Sequence, residues 1–429
     1  MPTSTVSPLI LVYAAVIALV CLVVAFHFYQ RRRLIDDTPT SKTQGVFIGL
    51  SELKGTAESE STLVSYLAGS CCVLYSYKGE VHWRRGSVDA KGRVTYESGW
   101  GTVAHGSEAV PIFLKDETGV VRILPDGAEI HAQEVFKQEV KQDDPLYYGK
   151  GPEWALWGST HRRRFTEQAI PLHASLYVIG QARVRSDVVA AEIAASKGSM
   201  FIVSMHTEKQ TSDTFRLWYW LWLSIGVVAA VGGVGVYFGR AFPGDPIAPP
   251  MLVMAGIYLV ATFVGWVWTA YNSLVNLRAR VYQGSSQIDV ELKRRSDLIP
   301  NLVAAVEGYR LHESSLQQLV AQLRSQQADG LDTQSAGVKG LTANLSAVAE
   351  NYPELKASEP FLALQKALSE TEQRLALARD YYNSIATFYR TRLELFPDGM
   401  LGRLLGFRPM SLLEAVSLER APIEVRLAS

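Results

Sequence analysis

The residue types that most often carry catalysis or bind metals are few and scattered in this chain of 429 residues. His312 and Glu313 begin like the zinc-binding motif HExxH, but Leu316 stands where the second histidine must be, so two imidazoles cannot meet on one helix face. The three cysteines form no CxxC pair, and no GxxxxGK[ST] or GxSxG motif is present. The sequence therefore predicts no catalytic, cofactor-binding or metal site, and a protein that is not an enzyme.

Two polar clusters remain as candidate binding sites, one beside a predicted helix break and one on a later helix. Buried polar groups need hydrogen-bond partners, so both clusters are read first as an interhelical network. The alternative is a contact site for a partner protein or a lipid headgroup. The members are Lys293, Arg294, Arg295, Asp297 and Asn301 in the first cluster, and Arg379, Asp380, Tyr382 and Asn383 in the second.

Two runs of three arginines are further candidates for contact with lipid or with a partner. Arg31, Arg32 and Arg33 follow an apolar segment directly, as at the cytoplasmic end of a membrane helix. The second run, Arg162, Arg163 and Arg164, is interpreted as a solvated loop, with anionic lipid as the alternative partner.

The charges balance, with 42 Lys plus Arg against 42 Asp plus Glu, so no net field attracts nucleic acid. The expected partners are the lipid bilayer, an unidentified protein and a second copy of the chain.

Three apolar segments are long enough to cross a membrane, at residues 9–29, 217–239 and 251–270. The positive charge follows the first segment instead of preceding it, which favours an uncleaved helix over a signal peptide. Ala229 with Gly233, and Gly235 with Gly239, have the small-xxx-small spacing that lets a neighbouring helix approach, although this spacing also arises by chance.

Residues 34–215 have the character of a β-rich domain. Short runs of β-branched and aromatic residues alternate with Gly, Pro and Asp breaks, which predicts a mixed α+β domain with a small barrel or sandwich at its centre. The runs are VFIGL (46–50), CVLYSY (72–77), VPIFL (110–114), VVRIL (120–124), SLYVIGQARV (175–184) and FIVS (201–204).

Residues 271–420 have helical periodicity instead. Apolar residues recur three or four positions apart, which predicts an all-α antiparallel four-helix bundle whose first helix continues the third span. Ser296 and Asp297 are placed as caps, Pro300 begins a second helix and Leu302 lies in the core. The last long helix, 361–395, is stopped by Phe396-Pro397-Asp398-Gly399.

Particular stretches of this helical region carry a family resemblance. SQIDVELKRRSDLIPNLV, GYRLHE, NYPELKASEPFLALQKALSETEQRLALARDYYN and ELFPDGMLGRLLGF resemble the LemA family over about residues 270–420. The chain departs from the usual pattern at Gly284, Ser285, Ser296 and Arg390. The resemblance implies membrane organisation or remodelling, including of magnetosome membranes, with no agreed activity.

The β-rich region resembles the GIDE, or beside-a-membrane, domain. TPTSKTQGVFIGLSELKGTAES, FLKDETGVVRILPDGAE and RRFTEQAIPLHASLYVIGQA carry the likeness over about residues 34–215. In a eukaryotic ubiquitin ligase with this domain, a RING follows the second membrane helix. A RING needs eight Cys or His ligands, and this chain has a LemA-like region there, so ligase activity does not carry over.

The main hypothesis is a multi-pass protein of the inner (plasma) membrane that works by binding, as a scaffold or as a membrane-organising protein. The alternatives are a membrane signalling relay and a hydrolase hidden in the β-rich domain. The arginines after the first and third spans predict that both soluble domains are cytoplasmic. The two resemblances favour the opposite side. The eukaryotic GIDE domain faces the intermembrane space, which corresponds to the periplasm, and many LemA proteins are drawn with the bundle outside the cytoplasm.

Overall fold

The computed structural model describes residues 7–88, 93–150, 158–185, 191–307 and 359–413. Its contacts divide the chain into a β unit, Thr40–Phe215, and a helical unit made of Met1–Pro39 and Arg216–Ser429. The predictions for the HExxH-like segment and for the helices between residues 308 and 358 lie outside the described residues, as does the side chain of Leu302.

The β unit contains thirteen strands and one α-helix within its described residues. The short helix α2, Pro145–Gly149, is capped by Asp144, whose carboxylate accepts from the backbone N–H of Leu146 at 2.8 Å. The strands are β1 Thr40–Ser41, β2 Gly49–Glu58, β3 Leu63–Val64, β4 Cys71–Val88, β5 Val94–Ala109, β6 Ile112–Lys115, β7 Val120–Ile123, β8 Glu129–His131, β9 Gln133–Lys141, β10 Ser159–Pro171, β11 Ser175–Val184, β12 Ala191–Ala194 and β13 Ile202–Ser204.

Five strands of the first sheet close into a small barrel. Its order is β1-β2-β6-β7-β12-β11-β13-β8, and the additional pairing of β2 with β11 completes the ring β2-β6-β7-β12-β11. Alternate side chains fill its interior, among them Leu53, Leu114 and Val178, all fully buried. Of the two alternatives predicted for the centre of this region, a small barrel or a sandwich, the structure has the barrel.

The second sheet is an open half-barrel built around two long strands. β4 pairs with β10, β3 and β5, and β9 adds to the far edge of β10. The β4–β5 hairpin holds its register from Leu74↔Ala109 to Val88↔Val94, with one irregularity after Gly79. The sequence runs predicted only residues 72–77 of β4, and they did not predict β5, because its three glycines interrupt the strand pattern.

The helical unit contains the three helices that are long and apolar enough to cross a membrane. They confirm three candidate spans by length and composition. Tyr258 on the third donates its hydroxyl to the carbonyl of Leu223 on the second at 3.2 Å. The described helices outside the β unit are α1 Leu9–Asp36, α3 Glu208–Ala241, α4 Ala248–Glu307, α5 Glu359–Glu394 and α6 Asp398–Leu404.

The continuity of the third span with the first bundle helix is confirmed, and the predicted helix break is wrong. α4 runs unbroken for 60 residues with Pro300 inside it. A proline removes one backbone hydrogen bond, and Pro300 is exposed in α4. The helix continues past it to Glu307, so the loss of this one bond does not end the helix. Ser296 and Asp297 are therefore helix-interior residues.

α4 packs along α5, and the core of this contact matches the predicted periodicity. Leu274, Val281, Ile288 and Leu292 are buried on α4, as are Leu368, Leu375 and Ile385 on α5. α5 ends at Glu394, beside the predicted stop at Phe396-Pro397-Asp398-Gly399, so the stop is confirmed. The chain turns at Phe396–Pro397, and the buried Asp398 begins a further helix, α6. The described residues thus show long helices in this region, and the four-helix bundle remains a prediction.

Candidate functional site

A buried charge network gathers at the end of α1. The carboxylate of Asp37, which directly follows α1, accepts from the hydroxyl of Ser273 at 2.8 Å and from Nε of Arg392 at 2.7 Å. Arg280 donates to the hydroxyl of Thr38 at 2.6 Å. These bonds join the end of the first span to α4 and α5.

Arg33 is the innermost cation of this network. Its guanidinium, 4 % exposed, pairs with the carboxylate of Asp398, which also lies 3.6 Å from Nη1 of Arg392. Tyr29 lies one helical turn earlier, with its ring centroid 5.3 Å from the Arg33 guanidinium carbon. Taking a charge out of water costs several kcal/mol, and a well-placed counter-charge offsets that cost. Three arginines and two aspartates therefore form a buried lock, which we name the α1 lock (Arg33, Asp37, Arg280, Arg392 and Asp398).

The sequence supplied only part of the α1 lock. Arg33 was singled out as a member of the run Arg31–Arg33, and only this third arginine is buried. Arg31 and Arg32 are half-buried, and Arg32 lies 3.3 Å from Asp36 one turn on. Asp37 and Asp398 were not predicted as site residues. The turn signal Pro397-Asp398-Gly399 could have marked Asp398 as a candidate, because a carboxylate in such a turn either caps a helix or pairs with a cation.

The second arginine run lies on a strand, so its interpretation as a solvated loop is wrong. β10 alternates its side chains between two faces. Arg163 is fully buried, donates to the carbonyl of Tyr147 and lies 4.0 Å from the centroid of the Tyr147 ring. Arg162 pairs with Glu139 and Arg164 with Glu80 on the other face. In this conformation Arg163 cannot touch lipid.

The polar cluster on α4 separates into different environments. Arg295 is buried and lies within electrostatic range of Glu372 on α5, as an interhelical network requires. Arg294, Asp297 and Asn301 are exposed. The structure does not bring these four residues together as one site.

Two residues of the later cluster fix the segment that follows α6. The Asn383 amide accepts from the backbone N–H of Leu413 at 2.8 Å and donates to the carbonyl of Leu413 at 2.9 Å. The Tyr382 hydroxyl donates to the carbonyl of Ser411 at 3.0 Å. The hydrogen-bond network predicted for these residues therefore includes the backbone of the segment after α6. The Asn383 amide pairs with both backbone groups of Leu413, as the backbone of a neighbouring strand would.

A buried carboxylate of the β unit was not predicted. Glu52 is fully buried on β2 and accepts from the hydroxyls of Thr40 at 2.6 Å and Tyr177 at 3.0 Å, with Lys54 3.5 Å away. Burial is the main cause that raises the pKa of Glu52 to about 7, and the nearby charge of Glu208 adds to it. Simple strand alternation would place Glu52 opposite the core residue Leu53. The pairing of β1 along β2 covers it instead.

Within the described part of the chain, no three His, Cys, Asp or Glu side chains are grouped so that they could hold a metal ion. The sites that the structure does assemble are the α1 lock and the Glu52 cluster, and their side chains form ion pairs and hydrogen bonds that hold segments together.

Comparison with known proteins gives a separate match for each of two parts of the chain. Residues 284–427 match the family model described as the LemA family, and residues 83–237 match the GIDE model, described as E3 Ubiquitin ligase. Protein LemA of Metamycoplasma hominis is 22 % identical over 160 residues, which cover 36 % of this chain and 73 % of that protein.

Two magnetosome proteins are similar at the same level. Magnetosome protein MamQ 2 of Paramagnetospirillum magneticum is 23 % identical over 188 residues, which cover 37 % of this chain and 69 % of that protein. Magnetosome protein MamQ of Magnetospirillum gryphiswaldense is 23 % identical over 189 residues, with the same coverage. By these family models, the N-terminal part of the chain matches the GIDE domain and the C-terminal part matches the LemA family.

Proposed function

We propose that this protein is a non-enzymatic, membrane-anchored scaffold that organises or remodels the membrane by binding protein or lipid. The α1 lock is the observation that carries the proposal. A scaffold must transmit a lateral force from its soluble part to its membrane helices, and a flexible linker would dissipate that force. Here α4 continues from the third candidate span, and the α1 lock ties the first candidate span to α4, α5 and α6.

The similarity to LemA and MamQ supports a role in organising membranes, since MamQ is by its name a magnetosome protein. The ubiquitin-ligase description of the GIDE model is not part of the proposal, because the chain has no CxxC pair with which to build a RING. The antiparallel four-helix bundle predicted for residues 271–420 is part of it.

The test is reconstitution of the full-length protein into liposomes at increasing protein-to-lipid ratio, with vesicle size and clustering measured by electron cryomicroscopy. We expect vesicles to become smaller, tubular or clustered. Asp37→Ala, which removes the carboxylate that links α1 to α4 and α5, is expected to abolish the effect while the protein stays inserted. Ser273→Ala is the matched control, because Asp37 keeps Arg392. Vesicles that stay unchanged at every ratio would contradict the proposal.

We further propose that the protein is a multi-pass protein of the inner membrane. Both soluble domains, the β unit and the helical region after the third span, then lie in the cytoplasm, because arginines follow the first and third spans. Single cysteines at Ala248, the exposed first residue of α4 after the turn between spans, and at Ser369, exposed on α5, report the side in a background without Cys21, Cys71 and Cys72. An impermeant maleimide is expected to label A248C in intact cells and S369C only after permeabilisation. The reverse pattern would place the units outside.

A further inference from the structure

The far end of the β4–β5 hairpin extends beyond the rest of its sheet. β10 pairs with β4 only as far as Trp83, whereas β5 pairs with β4 as far as Val88. Beyond Trp83, the described part of the chain shows only β5 as a strand partner of β4. A two-stranded ribbon alone is marginally stable in water, so this end gains from a further surface to cover it. We name residues 83–88 and 93–100 the terminal ribbon.

The side chains of the terminal ribbon are aromatic and basic. The guanidinium of Arg84 lies 4.2 Å from the centroid of the Tyr96 ring, and that of Arg85 lies 5.3 Å from the Trp83 ring. Tyr96 is 63 % exposed and Val94 is 53 % exposed. The ribbon therefore presents large apolar side chains to its surroundings, with guanidinium groups stacked on them.

One face of the terminal ribbon concentrates this pattern. Strand alternation puts Tyr96 and Trp100 on the same face, and the pairing Arg84↔Ser98 puts Arg84 between them. Arg164, 4.5 Å from the Trp100 ring centroid, extends the row onto β10. The described ribbon carries three arginines, Arg84, Arg85 and Arg93, against one carboxylate, Glu97. Its charge therefore suits an anionic surface, although the whole chain is neutral.

We propose that the terminal ribbon docks into the headgroup layer of an anionic bilayer. Tyrosine and tryptophan favour the membrane–water interface, and arginine binds lipid phosphates. The exposed Val94 beside them also favours a lipid surface over a nucleic acid, because its side chain cannot form hydrogen bonds. The β unit is joined at both ends to candidate membrane helices, α1 ending at Asp36 and α3 beginning at Glu208, so the chain tethers the β unit to a bilayer.

This inference rests on the proposed function and deepens it, since it names anionic lipid as a ligand and the terminal ribbon as the site. It also relocates the lipid contact that was the alternative interpretation of the run Arg162–Arg164. Arg163 is buried and Arg162 pairs with Glu139, so the cationic surface lies instead on β4 and β5.

The test uses the full-length chain in lipid nanodiscs, with the photoreactive residue p-benzoylphenylalanine in place of Tyr96. Discs of phosphatidylcholine alone are compared with discs that also contain phosphatidylglycerol, and the lipid adduct is measured by intact-protein mass spectrometry. We expect a several-fold higher yield in the anionic discs. The same residue in place of Tyr148, 48 % exposed on α2, is the matched control and is expected to show no such dependence.

Charge variants sharpen the test. Arg84→Gln with Arg85→Gln is expected to lower the adduct yield about tenfold or more, since each arginine near an anionic surface strengthens binding by roughly fivefold. Arg162→Gln makes the same kind of charge change elsewhere on the sheet, and the yield is expected to persist. Raised salt should lower the yield in the unsubstituted protein.

Three results would overturn the proposal: no lipid adduct at Tyr96, an adduct that ignores lipid charge, or an adduct to a second protein chain. An absent adduct with remodelled vesicles rejects the terminal ribbon as the lipid site and leaves the proposed scaffold role intact. A charge-dependent adduct with unchanged vesicles supports the ribbon and rejects remodelling.

Discussion

The most deeply buried carboxylates of the two units are stabilised in different ways. In the helical unit, Asp37 and Asp398 are paired with arginines from α1 and α5. In the β unit, the fully buried Glu52 accepts from two hydroxyls and Glu167 from the backbone N–H groups of Leu67 and Ala68, whereas Glu192, 4 % exposed, pairs with Arg122 and Arg183. Neutral donors satisfy a carboxylate's hydrogen bonds but do not cancel its charge, so the cost of burying Glu52 and Glu167 is met differently from that of Asp37 and Asp398.

The distances along the chain explain this difference. Arg33 and Asp398 are 365 positions apart, so their ion pair holds together parts of the chain that no local structure connects. The hydroxyl of Thr40 reaches Glu52 across 12 positions, through the pairing of neighbouring strands β1 and β2. Ion pairs therefore join distant helices in one unit, and backbone pairing supplies the order in the other. Each prediction below replaces one residue that forms such a buried interaction.

The largest effect is expected when the α1 lock loses the partner of Arg33. Asp398→Ala leaves a buried guanidinium without its carboxylate, and breaking a buried pair in this way costs about 3–5 kcal/mol. The measurement is the free energy of opening in the helical unit, from hydrogen exchange of α1 and α6 amides in the reconstituted full-length protein. Arg32→Met is the control, since its half-exposed pair with Asp36 is worth less than about 1 kcal/mol. Equal effects in the two variants would show that Arg33 is not buried as a charge.

Next in size is the pH dependence of the β unit. The folded-state pKa of Glu52, about 7, lies above its unfolded value of about 4.5. The contribution of Glu52 to the free energy of unfolding is therefore fully present below about pH 4.5 and is lost as the pH rises through 7. The loss is on the order of 3 kcal/mol when the group is fully ionised. Glu52→Gln cannot ionise, so the pH dependence is expected to flatten.

The measurement for Glu52 compares the variant with the unsubstituted protein at the same pH, below and above neutrality, through hydrogen exchange of β2 and β11 amides. Glu134→Gln changes the charge equally at an exposed pair with Lys137 and is expected to leave the profile unchanged. If β2 and β11 respond to pH alike in the Glu52→Gln variant and the unsubstituted protein, the stability change belongs to another group.

The smallest of the three effects is expected at Arg163. Arg163→Met keeps most of the side-chain volume but removes the donor to the carbonyl of Tyr147 and the cation above its ring. A buried carbonyl left without a donor costs about 1–3 kcal/mol. Exchange of β9 and β10 amides measures the loss. Arg162→Met, at an exposed pair with Glu139, is expected to change stability by less than about 1 kcal/mol. A larger loss at Arg162 would reverse the assignment of buried and exposed faces on β10.

The elements predicted correctly from the sequence are those whose pattern repeats over many residues. Leu368, Leu375, Ala378 and Ile385 mark the buried stripe of α5 by spacing alone, and all four are buried. β11 was predicted with its observed bounds because β-branched and aromatic residues fill it. Pro300 was misread because a breaker signal is local. In a helix described over 60 residues, the lost hydrogen bond is a small part of the total.

By itself, the sequence determined three apolar segments of membrane-spanning length, a β-rich region with a barrel, and long amphipathic helices after it, because hydrophobic periodicity is written in neighbouring residues. Only the tertiary structure decided which charged side chains are buried and what they contact. Arg31, Arg32 and Arg33 are identical as residue types, yet only Arg33 reaches Asp398. The partner of a buried charge is set by which distant segments pack against it, and no local pattern encodes that.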